Sequence, residues 1–282
     1  MADIGVQMMM LKDQVAEQGM YPVLEKLKGL NIASVEVSQI PMNEENTAAL
    51  ERGVRELGME VGALSVALGP SAVPGMDNLE TDLDKIIADC RRLGTRFTRI
   101  GMMPFHAMTS KEATEKWAAE VEPYAARLAE EGITLCYHNH HVDLHKFGSE
   151  RIFDIVRRVA PSLFFEVDLH WVQRGGMAPL DMLKEYEGVC KLIHVKDFRV
   201  TALPQEAMDL FNEGNFMDGY DKFVNIVEFA EVGQGNMNWP ELLPAAKAAG
   251  AEYFFIEQDM TYGRDPFDCI RDSRDYLTSI GW

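Results

Sequence analysis

The sequence predicts a single α/β domain with the (β/α)8 barrel fold. Three observations lead to this prediction: the chain length of 282 residues, the alternation of short apolar runs with amphipathic stretches, and the presence of eight such runs. Chains of this size commonly form one barrel domain. Strand and helix signals that alternate along a chain are typical of a parallel sheet. We therefore assign residues 1–282 to one barrel domain.

The eight predicted strands are short runs rich in β-branched and aromatic residues. They cover residues 4–9, 33–38, 60–67, 97–101, 133–138, 163–168, 191–196 and 253–257. Stretches between them have the period of amphipathic helices. These predicted helices run from Met20 to Lys28, Glu44 to Leu57, Leu79 to Leu93, Lys111 to Glu131 and Glu150 to Val159. A doubly wound open sheet is the rival fold, but no glycine-rich phosphate loop follows the first strand.

One segment does not fit the regular pattern. Residues 200–235 are long for a connection between a strand and a helix, and they include Pro204, Gly214 and several aromatic residues. Long connections in compact barrels tend to cover the active site. We therefore predict a lid insertion at about 200–235.

Composition limits the classes of partner. With 27 basic and 45 acidic residues, the formal net charge is −18, so we expect neither nucleic acid nor an anionic membrane as a partner. No apolar run is long enough to span a membrane, and no secretory signal opens the chain. The four cysteines lie far apart without Cys-x-x-Cys spacing, which favours a cytoplasmic protein. A small molecule is the expected ligand.

Strands five to eight end in side chains that commonly bind metals. His138, Asp168, His194 and Glu257 stand at these four ends, and the ends of barrel strands form one ring at the catalytic face. A carboxylate such as Asp168 after an apolar strand is costly to bury without a cation or hydrogen-bond donors. We predict one divalent metal ion at this ring, with Mn²⁺, Co²⁺, Mg²⁺, Fe²⁺ and Zn²⁺ all chemically admissible.

Further polar residues lie near the same ends. His140 and His170 are candidates to bind substrate hydroxyls or to protonate a leaving group, while Lys196 and Arg199 are candidates to stabilise an oxyanion or a phosphate. Hydrogen-bonded structural roles are an equal alternative for these four.

Four more residues are candidates for supporting roles. We expect Trp171 and Phe105 to form an apolar wall, with core packing as the alternative. Glu36 and Glu166 are candidates to orient the histidine ligands.

These motifs resemble the xylose-isomerase-like superfamily of barrels, which includes sugar and sugar-phosphate isomerases and epimerases, inosose dehydratase and endonuclease IV. The resemblance rests on Tyr137-His138-Asn139-His140, Glu166 to Trp171, His194-Val195-Lys196-Asp197, the turn Val232 to Gly235 leading to Trp239, and Ile256-Glu257. It implies a metal held by Glu, Asp, His and Glu from strands five to eight, of which the last three match this chain. Histidine stands at the first position, where many members have Glu-Asn-His.

By this resemblance we expect an isomerase or epimerase that removes a proton next to the carbonyl of a sugar-like ketose, with an enediolate intermediate. Glu257 is the expected base, and His138 is either a ligand or a second proton-transfer group. A lyase is the main alternative, either a dehydratase of an inosose-like keto-polyol or an eliminase of a 3-keto glycoside. A non-catalytic metal- or sugar-binding subunit is another. The charge disfavours an endonuclease. A homo- or hetero-oligomer is possible for such barrels.

Overall fold

The computed structural model describes residues 4–71 and 73–282. Eight parallel strands close into a barrel in which each strand pairs with the next and the eighth pairs with the first. We label them β1 (Ile4–Gln7), β2 (Ser34–Val37), β3 (Glu60–Val66), β4 (Phe97–Ile100), β5 (Thr134–His138), β6 (Phe164–Asp168), β7 (Cys190–Val195) and β8 (Tyr253–Ile256). The barrel predicted from the sequence is confirmed. Seven of the eight strands lie within the predicted runs, and β7 begins one residue before its predicted run, at Cys190.

Helices surround the barrel. They are α1 (Lys12–Gln18), α2 (Met20–Gly29), α3 (Glu44–Leu57), α4 (Leu83–Leu93), α5 (Lys111–Glu130), α6 (Ile152–Val159), α7 (Leu169–Arg174), α8 (Pro179–Glu185), α9 (Gln205–Asn212), α10 (Phe216–Val224), α11 (Trp239–Ala248) and α12 (Pro266–Ser279). The helix predicted from Leu79 begins only at Leu83, because Asn78 and Asp82 close a turn in which an Asp82 oxygen accepts from the Asn78 backbone N–H at 2.9 Å. Gly58 and Gly94 end α3 and α4 in the left-handed conformation that glycine adopts without strain.

The interior of the barrel changes from apolar to polar along the strands. The apolar layer consists of Ala63, Phe97, Cys136, Leu192 and Phe255. Side chains two residues apart on a strand share a face, so the next layer toward the carboxyl ends is formed by the residues two positions later. These are Ser65, Arg99, His138, His194 and Glu257. The strand pattern therefore places a polar layer next to the apolar layer, on the side of the carboxyl ends of the strands.

Two short antiparallel hairpins extend the barrel. The first pairs Lys146–Phe147 with Glu150–Arg151. The second pairs Asp197–Val200 with Val227–Ala230 and carries the predicted lid segment, whose helices α9 and α10 pack against each other. At its base, the Phe229 ring stacks on the His170 imidazole with centroids 5.2 Å apart. Closure of this segment over the site stays a prediction.

All four cysteines are buried and unpaired. In the described part of the chain, no helix has the length and apolar character needed to cross a membrane.

Candidate metal centre

Four side chains from neighbouring strands converge at the carboxyl end of the barrel. His138 on β5, Asp168 on β6, His194 on β7 and Glu257 after β8 each offer an atom, and these atoms all lie within 4.8 Å of one another. All four residues are buried. The Asp168 Oδ2 atom lies 3.6 Å from His138 Nε2 and 3.8 Å from His194 Nδ1. The sequence predicted this cluster, and its occupation by a metal stays a proposal.

The donor atoms of the cluster fit a cation. Nε2 of His138 and Oδ2 of Asp168 are buried and have no hydrogen-bond partner among the described residues, while Nδ1 of His194 lies 2.8 Å from Glu257 Oε2. Buried polar atoms without partners are rare in native structures, because leaving them unsatisfied costs free energy. Two imidazole nitrogens and two carboxylates form a donor set that first-row divalent metals accept. A divalent ion would satisfy both unpartnered atoms and would also contact His194 Nδ1 and the Glu257 carboxylate.

Other atoms of these four residues have hydrogen bonds that fix their orientation. Nδ1 of His138 lies 3.2 Å from the Gly101 carbonyl oxygen. Oδ1 of Asp168 accepts from the Trp171 backbone N–H at 3.0 Å and so begins α7, while Asn139 Oδ1 accepts from the Asp168 N–H at 2.9 Å. Hydrogen bonds on the side away from the cluster therefore orient His138 and Asp168, as is common for metal ligands.

Two buried carboxylates face the opposite nitrogen of His194. Nε2 of His194 lies 3.1 Å from Glu36 Oε2 and 3.2 Å from Glu166 Oε1, so the predicted placement of Glu36 and Glu166 beside a ligand histidine is observed. Each follows a register shift in its strand, after Val35 and after Phe165. Such irregularities re-aim side chains.

Arg99 on β4 compensates the charge of these carboxylates. Its Nε donates to Glu36 Oε1 at 2.8 Å and lies 3.3 Å from Glu166 Oε2. Burial raises the pKa of Glu36, yet Arg99 and His194 hold it below its usual range. Burial and the neighbouring Glu36 charge raise the pKa of Glu166. Arg99 was not predicted as a site residue, although a basic residue within the run Phe97 to Ile100 indicates a charged group inside the barrel.

Lys196 is a buried cation in contact with Glu257. Its Nζ lies 3.2 Å from Glu257 Oε2 and donates to Asp259 Oδ1 at 2.8 Å. The ammonium also lies 4.9 Å from the centroid of the Trp171 ring. Burial lowers the pKa of Lys196, but Glu257, Asp168 and Asp259 together raise it above its usual value. Lys196 therefore carries a proton at neutral pH.

Glu257 is held in its ionised form at the mouth of the site. Burial raises its pKa, but Lys196 and His194 hold it well below its usual range. Gln7 at the end of β1 donates to Glu257 Oε1 at 3.1 Å. Gln7 was also missed, although it lies within the first predicted strand, 4–9. The carboxylate is thus oriented, charged and able to accept a proton.

Three histidines at the site are neutral. Burial lowers the pKa of His138 to about 4, that of His140 to about 2 and that of His170 to about 4. Ring centroids of His138 and His140 are 4.8 Å apart. Both nitrogens of His170 and Nδ1 of His140 have no hydrogen-bond partner among the residues described. At neutral pH these rings are able to accept hydrogen bonds from hydroxyl groups.

A cavity of about 420 Å³ opens beside the cluster. Glu257, Asp259, His138 and His140 line it. Phe105 is also among the lining residues. Trp171 instead contacts Lys196 and His140. Arg199 pairs with Glu228 at 3.2 Å, half-exposed on the second hairpin, so its role toward substrate stays a prediction.

A family model described as the xylose isomerase-like TIM barrel matches residues 24–280 of the chain. A search of curated proteins found no match to this chain.

Several solved structures share the whole fold. A sugar phosphate isomerase/epimerase from Parabacteroides distasonis ATCC 8503 superposes with a TM-score of 0.72 and 19% identity, over 98% of this chain and 97% of that one. For the 3-keto-D-glucoside 4-epimerase of E. coli, the TM-score is 0.67 and the identity 14%, over 99% and 100%. A probable 3-DHS dehydratase from Bacillus anthracis gives 0.69 and 12%, over 98% of each chain. Identities this low show a common fold.

Proposed function

The chain belongs to the xylose isomerase-like TIM barrel family, and from this membership we propose that it is a metal-dependent isomerase or epimerase of a sugar-like ketose. One observation carries the proposal: an ionised, oriented Glu257 stands in a cluster of four buried ligand candidates beside a cavity. His138, Asp168, His194 and Glu257 would hold the ion. A divalent ion held there would supply Lewis-acid polarisation of a carbonyl oxygen.

Glu257 takes the proton from the carbon next to the carbonyl in this proposal. Its carboxylate lies in the cavity wall, and its charge is maintained by Lys196. A positioned general base typically contributes about 10²–10⁴ in rate. Gln7 keeps one carboxylate oxygen in a fixed orientation.

Lys196 stabilises the negative charge that develops on the substrate oxygen. Its ammonium is buried next to Glu257 and between the rings of Trp171 and Phe229, so water does not screen it. His140 lines the cavity beside His138 and is neutral. Its unpartnered Nδ1 is available to accept a hydrogen bond from a substrate hydroxyl.

A lyase is the second candidate. Histidine stands at the position where many family members have their first glutamate. Glu257 therefore remains as the carboxylate base, and Asp259 is the other carboxylate that lines the cavity. Elimination needs one base and one acid for the departing group, and Glu257 with protonated Lys196 supplies both. The fold is shared with a probable dehydratase. The predicted non-catalytic role would require that the isolated chain shows no turnover.

Reaction in D2O separates these candidates. Metal-loaded protein incubated with a panel of ketoses and keto-glycosides is expected to incorporate one solvent deuterium while the rest of the composition is conserved, as read by mass spectrometry and NMR. Chelation should abolish the exchange, and added Mn²⁺ should restore it. Loss of water or release of an aglycone would replace the isomerase assignment with the lyase. Absence of both exchange and elimination across the panel would reject catalysis on this class.

A further inference from the structure

The cavity extends well beyond the polar residues that the proposed reaction uses. Its volume is about 420 Å³, and cavities of about 300–1,000 Å³ receive ligands of drug size. A single sugar ring beside Glu257 and His138 fills only part of it. The remaining space is bounded mainly by apolar side chains, which are Met9, Leu68, Met76, Met102, Met103 and Phe105.

Two of these apolar side chains face solvent. Phe105 is 77% exposed and Met102 is 39% exposed. Large apolar side chains exposed together at a cavity mouth mark a surface that a ligand covers. Phe105 begins a short 3-10 helix, Phe105–Met108, whose Ala107 carbonyl oxygen accepts from Thr114 Oγ1 at 2.8 Å. The ring therefore projects from a fixed turn.

The chemistry of the wall favours an aromatic group. Met9, Met76, Met102 and Met103 contribute four thioethers to one cavity. Methionine side chains are flexible, polarisable and make favourable contacts with aromatic rings. Phe105 adds a ring face or edge for the same purpose.

The charges of the cavity disfavour a phosphorylated substrate. Arg99 is the one lysine or arginine among the described residues lining the cavity, and its Nε and Nη2 atoms already donate to Glu36 and Ser38. The neighbouring Lys196 is paired with the carboxylates of Glu257 and Asp259. Glu257 and Asp259 add negative charge to the wall. Phosphate groups need free basic side chains or backbone donors.

We infer that the substrate is an uncharged glycoside in which the sugar lies beside Glu257 and an aromatic aglycone lies against Phe105 and Met102. This inference rests on the proposed function, because it places the reacting carbonyl of a keto-glycoside at the metal cluster. It adds the substrate class: a neutral sugar with a large apolar substituent, as opposed to a free or phosphorylated sugar.

Calorimetric titration of the metal-loaded protein with paired probes tests this inference. The probes are 4-nitrophenyl and methyl glycosides of the gluco, galacto and xylo series, together with glucose 6-phosphate. We expect at least one 4-nitrophenyl glycoside to bind about tenfold more tightly than its methyl partner, since contact with an aromatic ring buries apolar area. Phe105→Ala should remove most of this preference and leave methyl glycoside affinity within about twofold.

Leu180→Ala is the control, because Leu180 is a large apolar residue 37% exposed on α8, outside the predicted lid and not among the residues lining the cavity. It should retain the full preference. Met102→Ala should reduce the preference and so check the result independently of Phe105. Thermal unfolding of each variant confirms that it is folded.

Three results would overturn the inference: equal affinity for the paired glycosides in all three series, tighter binding of glucose 6-phosphate, or no binding of any glycoside. Failure of the proposed function has a different signature, which is the absence of both deuterium exchange and elimination. Deuterium exchange on simple ketoses without an aryl preference would leave the function standing and refute the substrate class.

Discussion

Replacing Glu257 with glutamine is expected to lower turnover by about a thousandfold under saturating metal, within the range of about 10²–10⁴ that a positioned base contributes. Glutamine preserves the size of the side chain and an oxygen that Lys196 is able to contact, but it does not accept a proton. The measurement is kcat for the ketose identified by deuterium exchange, with metal content determined for each preparation. Because Glu257 is also a ligand candidate, metal affinity must be measured in parallel.

Asp259 provides the sharpest control for this variant. It also lines the cavity, and its carboxylate contacts the same Lys196 ammonium at 2.8 Å. We expect Asp259→Asn to retain most of the turnover, since Asp259 is not in the four-residue cluster. Turnover that survives in Glu257→Gln and is lost in Asp259→Asn would transfer the role of base to Asp259.

Replacing Arg99 with methionine is expected to cost about 3–5 kcal/mol in the free energy of unfolding. Arg99 is only 4% exposed, and its removal leaves the buried Glu36 and Glu166 with His194 alone to compensate their charge. Methionine has a similar length, so the charge is the main change. Urea unfolding of the metal-free protein, monitored by circular dichroism, measures the loss.

Two further measurements identify the cause of that loss. The double variant Arg99→Met with Glu36→Gln should be more stable than Arg99→Met alone, because one unpaired charge is removed with its partner. Without Arg99, the pKa of Glu36 rises in the folded state above its unfolded value, and the pKa of Glu166, already raised by burial and the Glu36 charge, rises further. Stability is therefore lost as pH rises through the folded pKa values. The deficit of the single variant should therefore shrink as pH falls from about 8 towards about 5. A deficit that is independent of pH and of Glu36 would point to packing instead.

The sequence was sufficient to predict the barrel because its strands carry strong local signals. Runs such as Leu163 to Val167 and Phe254 to Ile256 are buried and apolar, with no competing helical period. The carboxyl ends of the parallel strands in a closed barrel lie on one ring. This rule predicted that four residues at strand ends lie together: His138, Asp168, His194 and Glu257. The observed 4.8 Å cluster follows from that topology.

Other parts of the site depend on contacts between distant segments. Arg99 and Glu36 are 63 positions apart and meet only because β4 and β2 face the same barrel interior. The pairing of Arg199 with Glu228 arises from a hairpin formed across the insertion. The long apolar extension of the cavity comes from loops after β3 and β4, where the sequence has no periodic pattern to interpret. Side-chain partners of this kind are decided by tertiary packing.

The central claim is that His138, Asp168, His194 and Glu257 surround one cation. Calorimetric titration of chelator-treated protein with Mn²⁺ tests it most directly, with Asp168→Asn as the test variant and Asp181→Asn, exposed on α8, as the matched control. We predict one ion per chain in the native protein and in Asp181→Asn, and affinity weakened about a hundredfold or more in Asp168→Asn. Equal Mn²⁺ affinity in Asp168→Asn and the native chain, or no binding by the native chain, would contradict the claim.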